Sequence, residues 1–439
     1  VSSTPSSSDL ELRLRRARAS VFALFLTNGA LFANIIPRYP QIKDIFGLSE
    51  PVYGLTVALF PLGALVFGGF AAKAIRRFSS ARTAVAGTMG IGAMLAVAGL
   101  LAMRRESMGE DAGSAGFLLH LGFACFFFLA GGFDAVTDVG QNAHGLRIQR
   151  LMGRPVINSF HAGWSIGAML GGLMGIGATV LDLPLGVHLF GSALVFVVVG
   201  LVALRFALPG ADPRAGQTDP ILLVANAGGG AEDALGASPS EMRVHAITAP
   251  ASFVVGALTV LAIAGMLMED ATSTWSALYM RDYLGVKASL AGAAFVVMLA
   301  SQAVGRLTAD RLMERLGNRN TVLLGGALVT LGMGVGVLAA SVPATLVGMA
   351  FTGYGCAAIV PIAYNAADDV PGLAPGTGLT IVTWLSRFAF LGAPPLVGLI
   401  VEATSLRASM IVVPVAGFLA LLVAFLIAPE RAEAGGGAS

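Results

Sequence analysis

Charge is scarce in this chain. Only 12% of its 439 residues are Asp, Glu, Lys or Arg, about half of the ~25% usual in soluble globular domains. A surface so poor in charge cannot all face water, and 56% hydrophobic residues with a mean hydropathy of +0.80 direct most of it to lipid. Cysteine is nearly missing too. Cys125 and Cys356 both lie in apolar segments, which argues against a disulfide framework or a thiolate metal site and for two small packing residues. No Gly-x-x-x-x-Gly-Lys-Ser/Thr loop occurs, so the chain carries no motor of that type for ATP-driven pumping. The net charge of +2 gives no basic face for nucleic acid. No cofactor and no metal is expected.

What is present is a succession of long apolar runs. Arg13, Arg15, Arg16 and Arg18 precede the first, over 21–36. That run is too long for the core of a cleavable signal and lacks a small-residue cleavage site, so it reads as a first span. A helix crossing a hydrocarbon core of ~30 Å needs about 20 apolar residues. On that length, spans fall near 19–37, 51–72, 82–103, 116–143, 158–181, 185–207, 247–280, 287–309, 320–341, 343–367, 375–402 and 406–428. The expected organisation is a tail over 1–18, a six-helix bundle over 19–207, a polar Gly- and Pro-containing linker over 208–245, a second six-helix bundle over 246–428 and a tail over 429–439. The fold class is thus all-α integral membrane, with twelve transmembrane helices in two six-helix pseudo-repeats.

Charge sets the orientation. Alternate assignment of the connections puts 19 of the 27 basic residues on the side of the N-terminal arginines and 7 on the other, with Arg387 inside a span. By the positive-inside rule both termini and the linker are cytoplasmic, in a multi-pass protein of the plasma (inner) membrane. Lipid is then an obligatory partner, and a monomer is expected.

The two halves resemble one another after their second helices. Gly68-Gly69-Phe-Ala-Ala72-Lys73 is answered by Gly305-Arg306-Leu-Thr-Ala309-Asp310-Arg311, as in a parallel repeat. The second stretch, with Gly317 and the basic residues around it, resembles the signature loop of the major facilitator superfamily. That resemblance implies a secondary transporter with a conformational latch at Asp310 and Arg311, matched in the first half by Lys73; Ala72 stands where the first half's Asp would be. Further stretches narrow the resemblance to the MosC-like branch: Asn28-Gly29 with Pro37-Arg38, Asp134 to Asn142, Gly153-Arg154-Pro155 with Ser159-Phe160-His161, and Glu269 with Trp275 and Tyr279. Span five lacks the Gly-Pro pair of the drug/proton antiporters, which counts against export of amphipathic compounds.

Ionisable groups at membrane depth cost at least ~2.5–3.5 kcal/mol each on insertion scales, so they are functional candidates. Five stand out: Asp134, Asp138, Glu269, Asp270 and Arg387. Asp134, Asp138 and Asn142 stack along one helix face, which the family's plan turns toward a central cavity. A carboxyl group there can take up and release a proton, so the coupling ion is expected to be H⁺; a structural acid bonded to a neighbouring helix is the alternative. Glu269 and Asp270 diverge by about 100° on a helix and cannot both face one cavity. Arg387 cannot shed its proton and is expected to meet Glu269, Asp270 or an anionic solute. Asn28 is a candidate substrate donor, His161 a candidate proton relay, and Trp275 and Tyr354 candidate stacking surfaces for a sugar-like ring, each with core packing as its alternative. Together these suggest a small polar organic solute, a sugar or cyclitol derivative among the options. A receptor built on a transporter fold lacks an added soluble domain here, and Asp138 with His161 has no nucleophile to make an enzyme.

Overall fold

The computed structural model describes residues 7–109, 113–154, 156–212, 250–368, 370–373 and 377–425. Most of the expected linker, and the C-terminal tail, lie outside these residues. The described chain is helical throughout, as it must be where lipid leaves no water to satisfy backbone N–H and C=O groups. Eleven helices among the described residues are long and apolar enough to cross a membrane.

The chain divides into two compact units, Val1–Gly47 with Leu59–Pro239, and Leu48–Ala58 with Ser240–Ser439. The first contains α1 (Ser7–Asn34), α2 (Tyr39–Phe46), the second half of α3 (Glu50–Phe67), α4 (Ala71–Phe78), α5 (Ser80–Glu106), α6 (Gly113–Met152), α7 (Ile157–Val180) and α8 (Leu185–Phe206). Within it α1 lies along α7 and α8, and α5 along α6 and α8. The α1–α7 contact rests on the Gly163, Gly167, Gly171 and Gly175 stripe. A Cβ on Gly167 would run into the Leu26 carbonyl oxygen, and one on Gly29 of α1 into that of Trp164. Small residues at such a seam let two backbones approach closely, which replaces the hydrophobic driving force absent between helices in lipid.

The second unit contains α9 (Ala251–Leu278), α10 (Ala293–Ala339), α11 (Val342–Cys356), α12 (Ile359–Asp368), α13 (Thr377–Ala403) and α14 (Leu406–Ala424). Here α10 packs on α11 and α14, and α9 on α13 and α14. The start of α3 also belongs to this unit: the Tyr53 hydroxyl donates to the Thr274 carbonyl, and its ring meets Trp275 edge-on at 5.2 Å. Helix α11 stops at Cys356 and α12 resumes at Ile359. Pro361 lies four residues beyond the Ala357 carbonyl, where its ring forbids an unbroken helix. Pro61 and the Pro394-Pro395 pair, by contrast, sit inside α3 and α13.

The spans expected at 287–309 and 320–341 lie in one 52-residue helical stretch, Ala288–Ala339. Its single non-helical residue is Gly317, at φ 76° and ψ 164°, where the helix kinks. The first unit breaks between α4 and α5 at Ser79, whose φ of 80° and ψ of 159° nearly reproduce that geometry. The repeat legible in the sequence is therefore also a repeat of backbone conformation, made by a glycine in one half and by a strained serine in the other.

Candidate functional site

Each unit carries its own polar cluster at membrane depth. In the first, close packing of α1 on α7 brings Asn28 to Trp164. Asn28 is 2% exposed, and its Oδ1 accepts the Trp164 indole N–H at 3.1 Å. Its amide faces the Asp134 side chain of α6, which is its neighbour and acceptor there. One turn along α6, Asp138 is held locally. Asn142 Nδ2 donates to both its backbone and side-chain oxygens at 2.9 Å, and Gln141 Nε2 approaches it at 3.4 Å. The face expected from the sequence thus exists, and its members divide. Asp134 faces Asn28, whereas Asp138 and Asn142 partner each other. His161 is exposed on α7, with its ring edge on Phe25 at 5.2 Å, and Trp164 lies against Phe32.

In the second unit Glu269 of α9 meets α10. Gln302 Nε2 donates to its Oε1, and an Arg306 guanidinium nitrogen lies 3.4 Å from the same oxygen. Gln302 also approaches the Cys356 sulfur at 3.6 Å. Asp270, one residue on, is turned inward as the 100° divergence requires: it is 4% exposed and is approached by the Thr274 hydroxyl at 3.4 Å. The expected pairing of Arg387 with these acids is not seen. Among the described residues no ion pair joins Arg387 to Glu269 or Asp270, and the cation beside Glu269 is Arg306. Arg387 is exposed on α13 and acts electrostatically on Tyr364, which also feels Glu269 and has Ser386 and Thr383 for hydrogen-bond partners. Arg387 and Glu269 share Tyr364 as a neighbour without forming an ion pair, and one-dimensional spacing carries no information about how the helices rotate.

Tyr354 is half-buried, with its hydroxyl 3.2 Å from that of Thr308. Trp275 is fully buried against Tyr53 with its indole N–H unbonded, so it presents no open ring face in this arrangement. Lys73, Asp310 and Arg311 are exposed and form no ion pair among the described residues, leaving the expected latch contacts unmade.

Sequence reasoning missed Gln302 and Arg306 as the partners of Glu269. It also missed a buried knot in the first unit where Ser80, His144, Arg147 and Asp212 meet. His144 and Arg147 lie three residues apart on α6, a spacing that puts both on one face. Ser80 and Asp212 come from stretches with no periodicity to flag them.

Comparisons with known proteins agree with the all-helical membrane fold. Residues 256–438 match the family model of the Major Facilitator Superfamily. The uncharacterized transporter y4wD of Sinorhizobium fredii is 28% identical over 421 residues, 94% of this chain and 98% of that one. The membrane protein MosC of Rhizobium meliloti is 24% identical over 395 residues, 89% of this chain and 85% of that one. Among solved structures, a mutant form of the nucleoside transporter NupG superposes with a TM-score of 0.65 at 13% identity, covering 93% of this chain and 98% of that one. A bacterial homologue of the iron transporter ferroportin, in an inward-facing state, gives 0.64 at 15% identity, covering 94% and 98%. Residues 256–438 thus match the Major Facilitator Superfamily, and over nearly its whole length the chain is similar to membrane transporters.

Proposed function

We propose that the protein is a secondary active transporter that couples proton movement to the passage of a small polar organic solute by alternating access, in the plasma (inner) membrane with both termini cytoplasmic. The observation that carries this reading is Asn28. Its carbonyl oxygen is fixed by Trp164, and its amide faces the Asp134 carboxyl group. A buried amide donor beside an acid gives a polar solute both a donor and an acceptor, and the acid supplies the titratable group that coupling needs. A solute hydroxyl satisfies both: it accepts from Asn28 and donates to the carboxylate.

Glu269, Gln302 and Arg306 are the corresponding candidates in the second unit, and Arg387 with Tyr364 supplies a cationic and a phenolic group on α13 and α12. Asp138, Asn142 and His161 are assigned supporting roles. Asp310, Arg311 and Lys73 are assigned to a conformational latch that forms in another state.

The test is a thermal-shift screen of the purified protein in detergent against sugars, cyclitols, nucleosides, amino acids, organic anions and lipophilic cations, at about pH 6 and about pH 8, because a ligand bound only by the folded state raises the melting midpoint. A pH-dependent shift with a polar solute, lost in Asn28→Ala, is the expected result. Shifts confined to lipophilic cations would replace this reading with export of amphipathic compounds.

A further inference from the structure

A cavity of about 600 Å³ opens in the first unit, and Asn28 is not among the residues that line it. It is built where the start of α1, the first turn of α5 and the end of α8 with its following stretch come together. Arg13, Arg16, Arg82 and Arg205 line it, against the single carboxylate of Asp9. None of these four arginines forms an ion pair among the described residues, whereas Arg15, which does not line the cavity, pairs with Glu11 at 2.7 Å. Four guanidinium groups around one opening, with one carboxylate among the lining residues, repel each other and create a positive potential there. Leu12 and Phe206, also in the lining, are 48% and 47% exposed, so apolar surface borders the cationic groups.

We propose that this cavity binds the phosphate group of an anionic ligand, with an anionic phospholipid headgroup as its source. Guanidinium forks match phosphate oxygens in charge and geometry. On the reading of α1, α5 and α8 as spans, the cavity lies at the arginine-rich membrane surface, where basic pockets between helices recognise lipid headgroups. The exposed Leu12 and Phe206 give the acyl chains a surface that a free phosphate would not use.

The experiment follows the melting midpoint of the full chain in detergent with added phosphatidylglycerol, phosphatidylcholine or inorganic pyrophosphate. It compares wild type, the triple variant Arg16→Gln/Arg82→Gln/Arg205→Gln, and Arg15→Gln as a control outside the cavity. Phosphatidylglycerol is expected to raise the wild-type midpoint by about 2 °C or more beyond phosphatidylcholine, with the excess lost in the triple variant and kept in Arg15→Gln. A matching shift with pyrophosphate would support the phosphate site and assign it to a soluble ligand. An excess that survives in the triple variant, or a wild type that responds to neither phosphatidylglycerol nor pyrophosphate, overturns the proposal. If the triple variant loses cooperative melting, Arg16→Gln and Arg205→Gln singly carry the test, and an undiminished excess in both overturns it as well. The readout is melting rather than transport, so failure here leaves the transport reading standing.

Discussion

The Asp212 carboxylate closes onto the first residue of α5, taking the Ser80 amide on one oxygen and the Ser80 hydroxyl on the other, both at 2.6 Å. It does from 132 residues away what a capping side chain does locally, satisfying a donor that the helix leaves unpaired. Behind it, His144 Nε2 accepts the Leu208 amide at 3.2 Å, so a neutral ring carries its proton on Nδ1 and donates it to the Ser80 oxygen 3.0 Å away. Arg147 reaches the Pro209 carbonyl at 3.3 Å and lies 3.9 Å from Asp212. The stretch that follows α8 is thereby tied to α5 and α6.

Asp212→Ala removes two charge-assisted acceptors and leaves the buried Arg147 without its carboxylate. The expected loss is about 1.5–3 kcal/mol of stability, seen as a lower melting midpoint in detergent. A midpoint equal to wild type would mean that the knot contributes nothing to the first unit.

Ser79 and Gly317 test the backbone repeat in opposite directions. Both hold a conformation essentially reserved for glycine, at φ 80° and φ 76°. Relief of about 1–3 kcal/mol of strain outweighs the greater entropy loss of about 0.5–1 kcal/mol on ordering glycine, so Ser79→Gly is expected to raise the midpoint. Gly317→Ala should lower it. The account fails here if both substitutions shift stability the same way.

Gly167→Ala is expected to force α1 and α7 apart, because the added methyl group meets the Leu26 carbonyl oxygen. Overpacking of this kind destabilises by about 1–3 kcal/mol, and it also displaces Trp164 from Asn28. Melting and ligand response should therefore weaken together, and a variant that melts earlier yet keeps its full solute-induced shift would separate the seam from the site.

Gln302→Ala and Arg306→Gln probe Glu269 differently. The Arg306–Glu269 pair is 31% and 38% exposed, so its contribution to stability is about 0–1 kcal/mol and Arg306→Gln should melt close to wild type. Gln302→Ala, at a residue only 2% exposed, loses a buried charge-assisted bond and should melt earlier. If Glu269 must be held in place to meet the solute, loss of a charge-assisted bond worth about 1.5–3 kcal/mol raises the apparent KM about tenfold or more. Unchanged uptake kinetics in both variants would remove Glu269 from the site.

Hydropathy made the spans legible because lipid permits few backbone solutions; the Gly163 to Gly175 stripe permits a close seam, but nothing in its spacing names α1 as the partner. The ends of the helices were less legible. Polar residues do not stop a helix, so α6 runs to Met152 and α10 runs through the basic stretch to its kink at Gly317. Partners across helices were the least legible. Arg387 and Glu269 both declare themselves as charges in apolar runs, but the rotation of α13 and the 37-residue separation of Glu269 from Arg306 decide who meets whom. Asn28 was readable as a polar residue at depth; its meeting with Trp164 and Asp134 was not.

Uptake into proteoliposomes tests the central claim most directly. A solute identified by thermal shift is offered to vesicles carrying wild type or Asp134→Asn, with and without an imposed pH gradient. The account predicts that a gradient drives wild type to accumulate solute above equilibrium, while Asp134→Asn, folded and still exchanging solute, reaches equilibrium and stops. Accumulation by Asp134→Asn with the pH dependence of wild type would contradict it.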